Sequence, residues 1–186
     1  MPFVFTPTNI KNVILVEPKS FSDDRGFFFE NYKKSDFSRN GIDLEFVQDN
    51  TSKSDRWVIR GLHFQKPPHE QGKLVRVVSG EILDVAVDIR GGSPTYGKWI
   101  SAILSAENKK MMWVPPGFAH GFLTLSEAVV HYKVTKEYNK DSEGGLIWND
   151  ADLGIDWGVK DVSLSEKDKT WPGFANFGTP FTYRSQ

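Results

Sequence analysis

A chain of 186 residues is long enough to bury a hydrophobic core, and its lack of cysteine excludes disulfides, thiolate nucleophiles and cysteine-ligated zinc. The formal net charge of -1 argues against nonspecific nucleic-acid binding, which needs a basic field, but leaves room for an anionic small molecule where cations converge locally. The N-terminus shows no signal-peptide pattern, and no stretch approaches the roughly 20 apolar residues of a membrane span, so the expectation is a cytoplasmic protein without a membrane partner.

The chain reads as short β-branched runs punctuated by Gly, Pro and Asn, with no repeat, linker or low-complexity tract. This pattern predicts an all-β sandwich or barrel in one domain, residues 1–186, with a few short helices. In order, strands are expected at Val13–Pro18, Gly26–Tyr32, Phe46–Ser52, Trp57–Phe64, Lys73–Val78, Ile82–Arg90, Trp99–Leu104, Gly121–Leu125 and Val129–Glu137. A short helix fits Asp36–Arg39, with Ser35 as N-cap and Gly41 ending it. A second helical turn is expected to start at Ser165.

Ser79-Gly80 suggests a two-residue turn joining Lys73–Val78 and Glu81–Arg90 into a hairpin, with residue 75 facing 84 and 73 facing 86. Alternation then places Lys73, Val75, Val77, Ile82, Asp84, Ala86 and Asp88 on one face. Leu74, Arg76, Val78, Leu83, Val85, Val87 and Ile89 fall on the other, more apolar face, which needs a covering sheet or a partner chain. Register alone leaves two readings for Lys73 and Asp84: an exposed ion pair, or groups turned into an interior.

The histidines are His63, His69, His120 and His131. Pro115–His120 is similar to the second half of a cupin metal motif, but the first half wants His-x-His and here reads His63-Phe64-Gln65. An amide is a poor ligand for metals that imidazole suits, so metal binding is disfavoured. There is no Gly-x-Ser-x-Gly elbow, Gly-x-Gly-x-x-Gly turn or Walker loop. What remains is acid–base chemistry from histidine, tyrosine and carboxylates.

Ile59–Gln65, Gln71–Val77 and Asp84–Arg90 resemble, in sequence and in order, the dTDP-4-dehydrorhamnose 3,5-epimerase (RmlC) family. So do Asp24–Glu30, Gln48–Asn50, Pro116–Phe122, Tyr132-Lys133, Trp148–Asp150 and Ser165–Asp168, and the resemblance spans about residue 10 to about residue 170. It implies a cupin-type jelly roll, a homodimer with strand exchange, no metal, no cofactor and a dTDP-sugar substrate epimerised at C3 and C5 through an enolate. Carried over, the base is His63, oriented and made more basic by Asp168, with Lys73 stabilising the enolate oxygen and Tyr132 as the acid on the other face. Tyr138 matches a position that stacks on thymine. Arg60 and His120 would contact the diphosphate or sugar, and Arg25, Glu30, Gln48, Asn50, Glu143 and Lys167 match further nucleotide-binding positions. The early strand carrying Arg25 would cross to the neighbouring subunit.

Strict alternation sets Arg60 and His63 on opposite faces, so the assignment needs a bulge, for which Gly61 is suited. Three rivals stand beside this reading: an epimerase acting at one carbon, a non-catalytic sugar-nucleotide-binding cupin, and a metal-dependent cupin oxygenase. His69 and His131 have no assigned role.

Overall fold

The computed structural model describes residues 2–184. Its strands are β1 (Phe3–Pro7), β2 (Ile14–Pro18), β3 (Phe21–Asp23), β4 (Gly26–Phe28), β5 (Gln48–Ser54), β6 (Ile59–Gln65), β7 (Lys73–Ser79) and β8 (Glu81–Asp88). They continue with β9 (Arg90–Gly91), β10 (Trp99–Ser105), β11 (Met111–Val114), β12 (Phe118–Thr124), β13 (Ala128–Val134), β14 (Glu143–Gly145) and β15 (Phe181–Thr182). The helix α1 (Lys34–Arg39) lies between β4 and β5.

Two antiparallel sheets carry the fold, one ordered β1-β2-β11-β7-β13-β5 and the other β10-β8-β12-β6-β14. Period-two alternation explains how they stack. Val75 and Val77 from β7 meet Ile82 and Ala86 from β8 in a core that also holds Met112, Phe118, Phe122 and Val130. The outer face of β7 turns Leu74 toward Phe37 and Ile42, from and just after α1, where Phe3, Met111 and Trp113 complete a second cluster. The outer face of β8 turns Val85 and Val87 toward Leu146, Leu153, Trp157 and Phe181, so the long C-terminal segment covers this sheet. With both faces covered, β12 is buried from end to end.

The hairpin expected at Ser79-Gly80 does not form. β7 pairs with β11 and β13, whereas β8 pairs with β10 and β12, so the two strands belong to different sheets. The chain crosses the sandwich at Gly80, whose φ of +79° suits glycine and whose Cβ would lie 2.0 Å from the Glu127 carbonyl oxygen. The alternation itself survives: the two predicted faces become the inner and outer faces of opposed sheets. The apolar outer set therefore has two covers rather than one.

Smaller differences have local causes. α1 starts at Lys34 with Lys33 at the N-cap and no side-chain cap bond, so Ser35 lies inside it. The strand expected at Gly26–Tyr32 ends at Phe28, as one arm of a two-stranded ribbon with β3. The turn expected from Ser165 is a 3-10 turn at Lys167–Lys169, and the Ser165 hydroxyl accepts the Asp168 amide at 3.2 Å.

Candidate active site

The site starts from a mismatch between β6 and β12. His63 stands opposite His120 but Arg60 stands opposite Phe122, so three steps along β6 match two along β12. The extra residue lies at Gly61, where φ is +122° and a Cβ would come within 2.6 Å of Gly121 Cα and 2.7 Å of the His120 carbonyl oxygen. This is the bulge the sequence called for, and Arg60 and His63 accordingly line one cavity.

That cavity has a volume of about 560 Å3 and draws on both sheets: Arg60, His63 and His120 from one, Lys73 and Tyr132 from the other. Glu143, Lys167 and the buried Asp168 complete its lining. An adjoining chamber of about 280 Å3 shares His63, Lys73, Tyr132 and Glu143, and adds Gln48, Asn50 and Tyr138. A hollow of about 610 Å3 on the far side of Tyr138 is larger, but its one histidine, His69, is engaged with the Ser142 hydroxyl at 2.9 Å. We place the chemistry in the paired chambers, where acid and base groups converge.

His63 Nε2 lies 2.5 Å from Asp168 Oδ1. Burial pushes the imidazole below its ordinary pKa, an effect that Lys73 and Lys167 reinforce and that the Asp168 hydrogen bond and charge only partly reverse. Asp168 thus acts to raise the imidazole's pKa, while burial outweighs it and sets the net direction. Burial alone would raise Asp168, yet hydrogen bonds with His63, Ser165 and Trp171 hold it below the usual carboxylate value. Burial brings Lys73 down to about 8, against the pull of Asp84 and Glu143. Burial raises the Tyr132 hydroxyl, with Arg60 and Lys167 drawing it part of the way back.

The remaining residues are held as follows. Arg60 Nε donates to Ser54 Oγ at 2.8 Å and its Nη2 to the Lys53 carbonyl at 3.2 Å, which fixes the guanidinium. His120 is buried with Nε2 2.7 Å from Asp84 Oδ1, a partnership sequence reasoning missed. Gln48 donates to Asn50 Oδ1 at 2.8 Å and accepts the Tyr138 amide at 2.9 Å. Lys167 and Glu143 form an ion pair at 2.5 Å, and the exposed Tyr138 points its hydroxyl at Glu143. Arg25 and Glu30 do not line this cavity: Arg25 sits at the β3–β4 turn, 90% exposed, paired with Asp23.

Gln65, which interrupts the His-x-His pattern, is a structural clamp. Its amide nitrogen donates to the His69 and Glu137 carbonyls and its oxygen accepts the Asn139 amide, tying three loop positions to β6. Among the described residues no three His, Cys, Asp or Glu side chains gather as a metal site.

The cavity gathers a histidine–carboxylate pair, a lysine and a tyrosine, groups able to exchange protons, and the sandwich around them is a cupin-type jelly roll, a fold and site that suit an acid–base enzyme. The sequence model of the dTDP-4-dehydrorhamnose 3,5-epimerase family matches residues 7–176. Enzymes of that name from Salmonella typhimurium and Methanothermobacter thermautotrophicus are 53% and 49% identical, covering 89% and 91% of this chain and 92% and 93% of theirs. The crystal structure of a Legionella pneumophila dTDP-6-deoxy-D-glucose-3,5-epimerase in complex with dTDP-4-keto-L-rhamnose matches with a TM-score of 0.95 at 43% identity, over 98% of this chain and 100% of that one. This chain belongs to the dTDP-4-dehydrorhamnose 3,5-epimerase family and is an isomerase.

Proposed function

We propose that the enzyme epimerises dTDP-4-dehydro-6-deoxy-D-glucose at C3 and C5 to dTDP-4-dehydro-L-rhamnose, the precursor step of dTDP-L-rhamnose biosynthesis. The observation that carries this reading is the convergence of the His63–Asp168 pair with Tyr132 and Lys73 on one cavity.

Both reacting carbons flank the C4 ketone, so loss of either proton yields an enolate and no cofactor is required. With Nε2 turned to Asp168, His63 presents Nδ1 as the base. A depressed pKa keeps the imidazole neutral and ready at neutral pH. As the C–H bond breaks, its electron pair moves into the ring and charge builds on the C4 oxygen, where the Lys73 ammonium acts at short range in a site poor in water. Tyr132, held protonated by its raised pKa, gives a proton to the carbon from the other face, and the configuration inverts. The phenolate and imidazolium left behind return to their starting forms by proton exchange before the second carbon reacts. Arg60 and His120 face the diphosphate or sugar, and Gln48, Asn50, Tyr138, Glu143 and Lys167 the nucleotide.

Arg25 and Glu30 belong to this reading through a homodimer in which the β3–β4 region reaches a partner's site. The 63% and 67% exposure of Phe27 and Phe28 beside Arg25 supports it, since apolar rings of that size favour a covered position. No helix among the described residues is long and apolar enough to cross a membrane, and we place the enzyme in the cytoplasm as a single domain.

The test is incubation with the substrate in deuterated water, with label read at C3 and C5 by NMR. Label at both carbons supports the reading, label at one carbon assigns a single-site epimerase, and no label from folded protein overturns it.

A further inference from the structure

We propose that Trp171 is a positioning residue of the His63–Asp168 pair, its indole N–H holding the same carboxylate oxygen that His63 uses. The inference rests on the reading of His63 as the base.

Asp168 Oδ1 lies 2.5 Å from His63 Nε2 and accepts Trp171 Nε1 at 3.2 Å. The indole is seated beside the imidazole, with ring centroids 6.2 Å apart and planes at 69°. Its seat depends on Gly145, the β14 residue paired with His63 across the ladder. A Cβ at Gly145 would stand 2.6 Å from both Cδ2 and Cε2 of Trp171, so only glycine lets the ring lie there. Three features therefore converge on one oxygen: a bare position opposite the base, an aromatic ring filling it, and an N–H aimed at the partner of the base.

The chemical consequence follows from sharing. A carboxylate oxygen that accepts two N–H groups divides its charge between them and is less basic than one that accepts a single donor. Asp168 then orients His63 without drawing its proton away, and the imidazole keeps a lower pKa. The other charges facing His63 are Lys73 on β7 and Lys167 beside Asp168, the latter paired with Glu143 on β14. None of these contacts the indole nitrogen's hydrogen bond, so removing that bond acts on Asp168 first.

Trp171→Phe keeps a ring in the seat and deletes the donor. Asp168 becomes the stronger acceptor, the imidazolium is favoured, and the acid limb of the kcat/KM profile moves to higher pH by about half a unit or more. Proton exchange near neutrality falls by about 3- to 10-fold. Lost packing alone would lower the rate without moving the limb. The wild-type protein supplies a second readout: the Trp171 indole N–H resonance, assigned by through-bond NMR, should titrate together with His63 and move upfield in Asp168→Asn. An indole resonance indifferent to both, or an unmoved acid limb in folded Trp171→Phe, overturns the proposal. Failure of the wild-type protein to exchange substrate protons would instead remove the proposed function, whereas the indole titration reads the hydrogen bond whatever the substrate.

Discussion

Lys73 and Asp84 come from opposite sheets and act on each other across the interior, Asp84 being the largest influence holding the lysine charged against burial. Asp84 also accepts from His120, so one buried carboxylate serves two cavity residues. If the Lys73 cation stabilises the enolate, activity falls as pH rises through the lysine's pKa of about 8. Asp84→Asn removes a charge that raises this pKa, and the alkaline limb of kcat/KM should move to lower pH. An unmoved limb would assign that limb to another group.

The same lysine makes stability depend on pH. Its folded pKa of about 8 lies below the ordinary lysine value of 10.5. Between these values the unfolded chain binds more protons, so stability should rise with pH there, by at most about 3 kcal/mol. The gain is an upper bound because Lys73 retains some solvent contact through the cavity. Urea midpoints measured across this window should rise for the wild type and stay flatter for Lys73→Met.

Asp168→Asn tests the other pair. The carboxylate raises the His63 pKa against burial, so its loss should push the imidazole lower still and shift the acid limb to lower pH. Orientation suffers at the same time, and kcat should drop by about 100-fold or more. Parallel deuterium-exchange profiles of the two proteins would check both effects.

Tyr132 separates removal of a proton from its return on the opposite face. Tyr132→Phe should still wash deuterium into the substrate through His63, while inversion falls by about 100-fold. Normal inversion at both carbons in this variant would show that another acid serves.

The dimer can be tested by complementation. Arg25→Ala and His63→Ala should each be impaired alone. After mixing with subunit exchange, each heterodimer would contain one intact site, and about a quarter of all sites should regain activity. Light scattering on the same samples would verify the dimer, and no recovery despite exchange would place Arg25 outside the site.

Much of this was legible along the chain because it depends on local rules. Alternation sorted Lys73, Val75, Val77, Ile82, Asp84 and Ala86 onto one face, and they do share the interior. Gly61 marked the bulge because only a residue without Cβ tolerates φ of +122° so close to Gly121. The ordered motifs were enough to point to the family. The strand Met111–Val114 was missed for the same kind of reason: all four residues are buried, so no alternation announces it.

Pairing and environment lay beyond such rules. Whether Lys73–Ser79 bonds to its sequence neighbour or to β11 and β13 depends on which edges remain free when the whole sandwich closes. The donor that reaches Asp168 from Trp171, and the carboxylate that reaches His120 from Asp84, are set by the same closure. The sequence by itself determined the inventory of acids and bases, the alternation and the bulge. Tertiary structure decided that burial, rather than the carboxylate partner, sets the net pKa of His63, because desolvation sums over every atom that excludes water from the ring.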